Sequence, residues 1–228
     1  MIESLTYQFL KPNLETNKTK IVSIRIFEVQ EEIIEQIEEK LFKEGFYKTT
    51  MDEVATELGM SKKTIYKFFP SKEDLVNAIA KRFMNKMKNK ILPALNSDKN
   101  AIEKLGELIK ILATASEKIT PKRLDEIRKH FPSLWNEIDK FRTKMMFENI
   151  TKVIDQGKSE GLFVDYPTTI IMNVLVNSVR NIVNPEFILN HSYSIIEAAQ
   201  YTFRIIIGGI VTEKGKKLFN QTINKMIK

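Results

Sequence analysis

The chain has 228 residues, 43% of them apolar and 29% charged, a balance that supports folded domains with a buried core and excludes a disordered tail. Against 29 Asp and Glu stand 36 Lys and Arg, and the net charge of +7 is a mild bias toward polyanionic partners. The absence of cysteine excludes a disulfide scaffold, a zinc-finger site, a thiol nucleophile and an iron–sulfur cluster.

Met1 to Leu10 carries Glu3 and lacks a basic leader ahead of a long apolar run, so it does not read as a secretory signal. The longest apolar stretch, Ile205 to Val211, falls far short of the about 20 residues that span a bilayer. A cytoplasmic chain with no membrane partner is expected. Residues 1–27 read as an arm with Pro12 and an Asn/Thr/Lys-rich piece from Asn13 to Lys20. Its Lys18, Lys20 and Arg25 suit either a minor-groove contact or an extension with no role on DNA. The apolar run Ile21 to Val29 is compatible with a strand or a helix, and a helix beginning near Val22 to Glu28 is the expectation.

From there helical spacing is steady. Ile33, Ile34, Ile37, Leu41 and Phe42 form one face of a helix that Gly45 ends. Met51, Val54, Ala55 and Leu58 mark a second, stopping at Gly59. A third holds Ile65 and Phe68 and is closed by Pro70, which biases Phe69 away from helical angles. A fourth carries Leu75, Ile79, Phe83, Met87 and Ile91 and is interrupted near Pro93. Beyond it, helices are predicted around Ile102 to Leu112, around Leu124 and Ile127, from Leu134 to a stop at Gly157, from Pro167 to Ile182, from Ile195 to Gly208, and from Glu213 to Met226. No strand and no fixed-period repeat is found, so the fold class is all-α.

Thr50, Met51, Asp52 and Glu53 form a capping box: the Thr50 hydroxyl accepts from the Glu53 amide while the Glu53 carboxylate reaches back. Ser61 caps the third helix, and Ser71 to Asp74 repeats the pattern with Asp at N3. Only Leu58, Gly59 and Met60 separate the second and third helices, the turn of a helix-turn-helix whose second helix enters the major groove N-terminus first. Charge follows the motif. Glu28 to Phe42 is net −5, whereas Lys43 to Lys90 holds eleven Lys and Arg against six acids, net +5. Met60 to Lys72 carries Lys62, Lys63, Lys67 and Lys72 and no acid, so a phosphate backbone meets no local repulsion there.

The runs Gly45 to Ala55, Gly59 to Phe69 and Ser71 to Leu75 resemble the N-terminal DNA-binding domain of TetR-family transcriptional regulators, a likeness that is dense over about Glu31 to Lys90. Leu58 stands where the family often has alanine, and Lys63 where it often has glycine. The resemblance implies a homodimer on a semi-palindromic double-stranded operator, with a C-terminal helical domain that binds a small-molecule effector and dimerises through its last two long helices. It also implies that Thr50, Tyr66 and Lys72 touch phosphates, which position the protein without reading sequence. Lys62, Lys63 and Thr64 are the candidates for base edges. With Lys48, Ser61 and Lys67 these complete the expected DNA-binding set, while Phe46, Val54, Leu58, Ile65, Phe68 and Leu75 are expected in the core.

The C-terminal signals are weaker. Asn173, Asn177, Arg180 and Asn184 make a polar stripe that lines an effector cavity, a dimer seam or simply a solvated face. Trp135, Phe141, Met145, Met146 and Met172 wall an apolar pocket or are plain core; Trp135, Met145, Asn173 and Asn177 are the effector candidates. His130 and His191 stand without a carboxylate at ligand spacing, so no metal site is expected. Gly157, Lys158 and Ser159 match the end of a phosphate-binding loop, but Lys152 stands where that loop needs glycine. No cofactor and no catalytic cluster is read.

The sequence therefore predicts an arm at 1–27, a helix-turn-helix domain with linker helix at 28–90 (motif about 50–69), and an effector-binding and dimerisation domain at 91–228. The function expected is a DNA-binding transcriptional repressor released by a small effector, not an enzyme. The alternative is an all-α adaptor whose helix-turn-helix packs against a protein.

Overall fold

The computed structural model describes residues 26–117 and 119–226, with side chains as far as Thr222. The basic arm residues Lys18, Lys20 and Arg25 lie outside the described residues, as do the side chains of the apolar positions Ile223 and Met226. The described residues are helical apart from turns, loops and a single antiparallel bridge between Phe163 and Val211. The chain divides into two compact units, Met1–Ile79 and Ala80–Lys228.

In the first unit, α1 covers 26–44, α2 is Met51–Glu57, α3 is Lys62–Phe68, and α4, Lys72–Leu95, begins here and continues into the second unit. Ile33, Ile34, Ile37 and Leu41 of α1 are buried with Phe46, Val54, Ile65, Leu75 and Ile79. Burying each such side chain is worth about 1.5–3 kcal/mol, which is what gathers the four helices around one core. Two of the expected core residues sit at its margin: Leu58 and Phe68 are half-buried, and Phe69 fills the interior instead. Pro70 explains the exchange. It forces Phe69 out of helical angles, to φ −132° and ψ 94°, and the chain turns that ring inward just past the end of α3. Gln30 Nε2 of α1 then donates to the Phe68 carbonyl at 2.8 Å, tying the end of α3 to the first helix.

Pro93 does not interrupt α4, which runs to Leu95. This close to the C-terminus proline removes one backbone bond, and the next turn still closes, Asn96 N–H donating to Leu92 O at 2.9 Å.

The second unit continues with α5 (Ala101–Ser116), α6 (Pro121–His130), α7 (Pro132–Met145), α8 (Thr151–Ser159), α9 (Thr168–Ile182), α10 (Pro185–Leu189), α11 (Ile195–Gly208) and α12 (Glu213–Met226). A π-helical turn, Met146–Ile150, joins α7 to α8. The core is built from Ile102, Leu105, Ile109, Val153, Ile154, Phe163, Met172, Leu175, Phe203 and Ile207, with α5 meeting α8, α11 and α12 while α9 packs on α11. The short α10, absent from the sequence expectations, starts at Pro185 under an Asn184 cap and leans on α6.

Gly157 was expected to stop a helix and instead lies inside α8. The stop is Gly161, at φ +69°, with Gly161 N–H to Lys158 O at 2.9 Å and Leu162 N–H to Gly157 O at 2.8 Å. Gly157 is there for space: a Cβ on it would lie 2.1 Å from the Phe163 ring. Past α11, Thr212 caps α12 and its hydroxyl donates to Gly161 O at 2.8 Å, fastening the loop after α8 to the start of the last helix.

Candidate nucleic-acid interface

Each end of the helix pair is fixed by local chemistry. At α2 the Thr50 amide donates to Glu53 Oε2 at 2.7 Å and the Glu53 amide donates to Thr50 Oγ1 at 3.2 Å, the reciprocal box expected from the sequence. The Thr50 amide and, at 3.1 Å, the Thr50 hydroxyl both donate to the Glu53 carboxylate and hold its pKa below the ordinary value. The turn out of α2 is a Schellman motif. Met60 N–H reaches Ala55 O at 2.9 Å, Gly59 N–H reaches Thr56 O at 3.1 Å, and Gly59 takes φ +61°. Ser61 then caps α3, its Oγ accepting from Thr64 N–H at 3.1 Å and lying 2.8 Å from Thr64 Oγ1. Ser71 and Asp74 form a second reciprocal box at the head of α4, at 2.9 and 3.1 Å.

With Ile65 fully buried, the opposite face of α3 is turned out, and Ser61, Lys62, Lys63, Tyr66 and Lys67 are exposed along it, with Thr64 half-buried. Lys48 and Thr50 are exposed beside them on the segment before α2. Lys48, Lys63 and Lys67 have no acid within ion-pair distance among the described residues. Lys62 does: its Nζ lies 2.7 Å from Asp52 Oδ1 across the turn, and that bond, with the nearby negative charge, raises its pKa. Lys72 is half-buried. Its Nζ donates to the Tyr47 carbonyl and lies 5.4 Å from the centre of the Tyr47 ring. Sequence reasoning placed all nine residues on one short segment but missed two partners, Asp52 and Tyr47, because one contact crosses the turn between α2 and α3 and the other joins residues 25 apart.

The effector candidates are not gathered. Trp135 and Met145 are half-buried on α7, whereas Asn173 and Asn177 are exposed on α9, where their amides donate back to the carbonyls of Thr169 and Asn173 at 2.8 and 2.9 Å. Exposed apolar residues also occur on these helices: Ile170 and Val174 on α9, and Tyr201 and Ile205 on α11. Met172, one residue away, points into the core.

Residues 33–79, the span that contains the capped pair, match the family described as bacterial regulatory proteins, tetR family. The chain carries a TetR-family DNA-binding domain. Among curated relatives, the uncharacterized HTH-type transcriptional regulator YvaF of Bacillus subtilis (strain 168) is 23% identical over 176 residues, 77% of this chain and 92% of that one. Several solved structures share the fold. A Saccharomonospora viridis protein in complex with choline aligns at TM-score 0.64 and 19% identity, over 82% of this chain and 99% of that one. The regulator FadR from Bacillus subtilis in complex with stearoyl-CoA aligns at 0.56 and 18%, over 78% and 97%. The TetR-type helix pair, all-α architecture and exposed basic face together identify a DNA-binding transcriptional regulator. Among the described residues no helix is long and apolar enough to cross a membrane.

Proposed function

We propose that the protein is a homodimeric repressor that binds a semi-palindromic operator through α3 and leaves it when a small molecule binds the C-terminal helices. The observation that carries this is the acid-free, outward face of α3 on a helix whose register is fixed by a cap at one end and a buried Ile65 at its centre. In this reading Lys62, Lys63 and Thr64 meet base edges. Lys48, Thr50, Tyr66, Lys67 and Lys72 meet phosphates, and the Thr64 methyl is the part left for a thymine once its hydroxyl pairs with Ser61.

Exposed Ile170, Val174, Tyr201 and Ile205 support α9 and α11 as the seam between two copies. The last helix, α12, is occupied with α5 and buries Phe219. The effector acts by population shift, fitting better when the two recognition helices miss successive major grooves, about 34 Å apart. Its chemistry does not transfer from fold neighbours, since one was solved with choline and another with stearoyl-CoA.

The test is to select genomic duplexes with the full chain, sequence them, and titrate the selected duplex at several salt concentrations. Two half-sites about one helical turn apart are expected. Lys62→Ala with Lys63→Ala is expected to weaken the selected duplex by about 1–3 kcal/mol for each base contact removed. No preferred duplex from a folded dimer would favour the adaptor reading instead.

A further inference from the structure

Of the exposed lysines on α3, Lys62 alone is tied to a carboxylate among the described residues: Asp52, the second residue of α2, holds its Nζ at 2.7 Å with both side chains more than half exposed. That pair does little to hold the helices together. The Schellman turn and the buried Val54, Ala55 and Ile65 already fix α3 against α2, and an exposed ion pair adds little to them. The carboxylate nevertheless lies on the face that approaches a polyanion, where it opposes binding to any phosphate.

We propose that Asp52 is a specificity-determining residue: by holding the Lys62 ammonium it withholds that charge from phosphates and leaves it available to a base edge. This rests on α3 being the recognition helix. On random DNA the default partner of a lysine is a phosphate, the contact that supplies nonspecific affinity. To take it, Lys62 must either abandon Asp52, leaving that carboxylate unpaired beside the phosphate, or hold two mutually repelling anions on one ammonium, whereas a base edge is neutral. At a base edge nothing has to be abandoned. The ammonium has three donors, so one stays on Asp52 while another reaches an acceptor such as guanine O6 or N7. Asp52 therefore penalises wrong DNA more than right DNA.

The experiment uses the full chain, the selected operator duplex and a scrambled duplex of equal length, each titrated by fluorescence anisotropy across a salt series. Asp52→Asn is expected to tighten the scrambled duplex about fivefold or more and to steepen its salt dependence by about one counterion. Preference for the operator should fall accordingly. In a Lys62→Ala background the same substitution is expected to tighten scrambled binding by clearly less than in the unmodified chain, because the charge that Asp52 restrains is gone and only the repulsion of its carboxylate is relieved. Asp52→Glu, which keeps the carboxylate, is expected to retain the preference.

A gain of equal size in both backgrounds would show bare charge repulsion and overturn the proposal. So would no gain, or a weakening on both duplexes together with a lowered thermal midpoint, the mark of a merely structural residue. Failure of the unmodified chain to prefer its selected duplex is a separate result, and it overturns the recognition-helix reading instead.

Discussion

Two glycines that look alike in the sequence are required for different reasons, and substitution separates them. Gly59 has open space around its missing side chain but sits at φ +61°, so Gly59→Ala pays only for the left-handed backbone, about 1–2 kcal/mol. Gly157 has ordinary helical angles but no room: a Cβ would meet Phe163 at 2.1 Å and the Ala101 methyl at 3.0 Å. Gly157→Ala is expected to destabilise by about 1–3 kcal/mol through overpacking. Adding Phe163→Leu should recover part of that loss, whereas it should do nothing for Gly59→Ala. Urea denaturation of the single and double variants measures both, and an unrepaired Gly157→Ala would place the strain elsewhere than on Phe163.

At the scale of the element, the parts legible in the sequence are those decided within one turn of chain. The caps at Thr50, Ser61 and Ser71 are read from residues three apart, and each is found where the spacing puts it. The stop at Gly157 and the break at Pro93 were misread because their meaning depends on Phe163, six residues beyond, and on how little of α4 remains to be broken. For the candidate site the same division holds. The row of lysines is a local fact, while the pairing of Lys62 with Asp52 needs the turn to be folded.

Local caps also give the fold an acid sensitivity. Glu53 and Glu197 each accept from the backbone N–H and hydroxyl of their cap residues, Thr50 and Ser194, and those bonds hold both carboxyls below the ordinary value of 4.5. Because the folded value is the lower one, their contribution is present above about pH 4.5 and is lost as the pH falls below it through the folded value. The thermal midpoint is expected to fall over that acid range. Glu53→Gln with Glu197→Gln should flatten the fall, since glutamine still reaches the cap amide but does not titrate. An unchanged slope would assign the acid sensitivity to other carboxyls. Asp125 is one such group: burial pushes it up, but Lys129 and Arg128 outweigh that and hold it low.

At the scale of the whole molecule, the proposed recognition helix is short for the affinity an operator needs. α3 has only seven residues, Lys62–Phe68, and a single half-site contact of that size is weak; a second, linked copy turns the next contact into an intramolecular one and gains about 100-fold or more in avidity. That gain requires a seam, and the one proposed is the set of exposed apolar residues on α9 and α11. Ile205 is the most informative of them, since 74% of its surface is open in the single chain. Ile205→Glu puts a charge from each copy into an apolar two-fold seam and leaves the core of either unit alone. Sedimentation is expected to change from dimer to monomer with the helical circular dichroism signal unchanged. Affinity for the full operator should fall about 100-fold while affinity for an isolated half-site stays within about twofold. A variant that remains dimeric would move the seam away from α11, and one that becomes monomeric yet keeps full operator affinity would show that α3 needs no second copy.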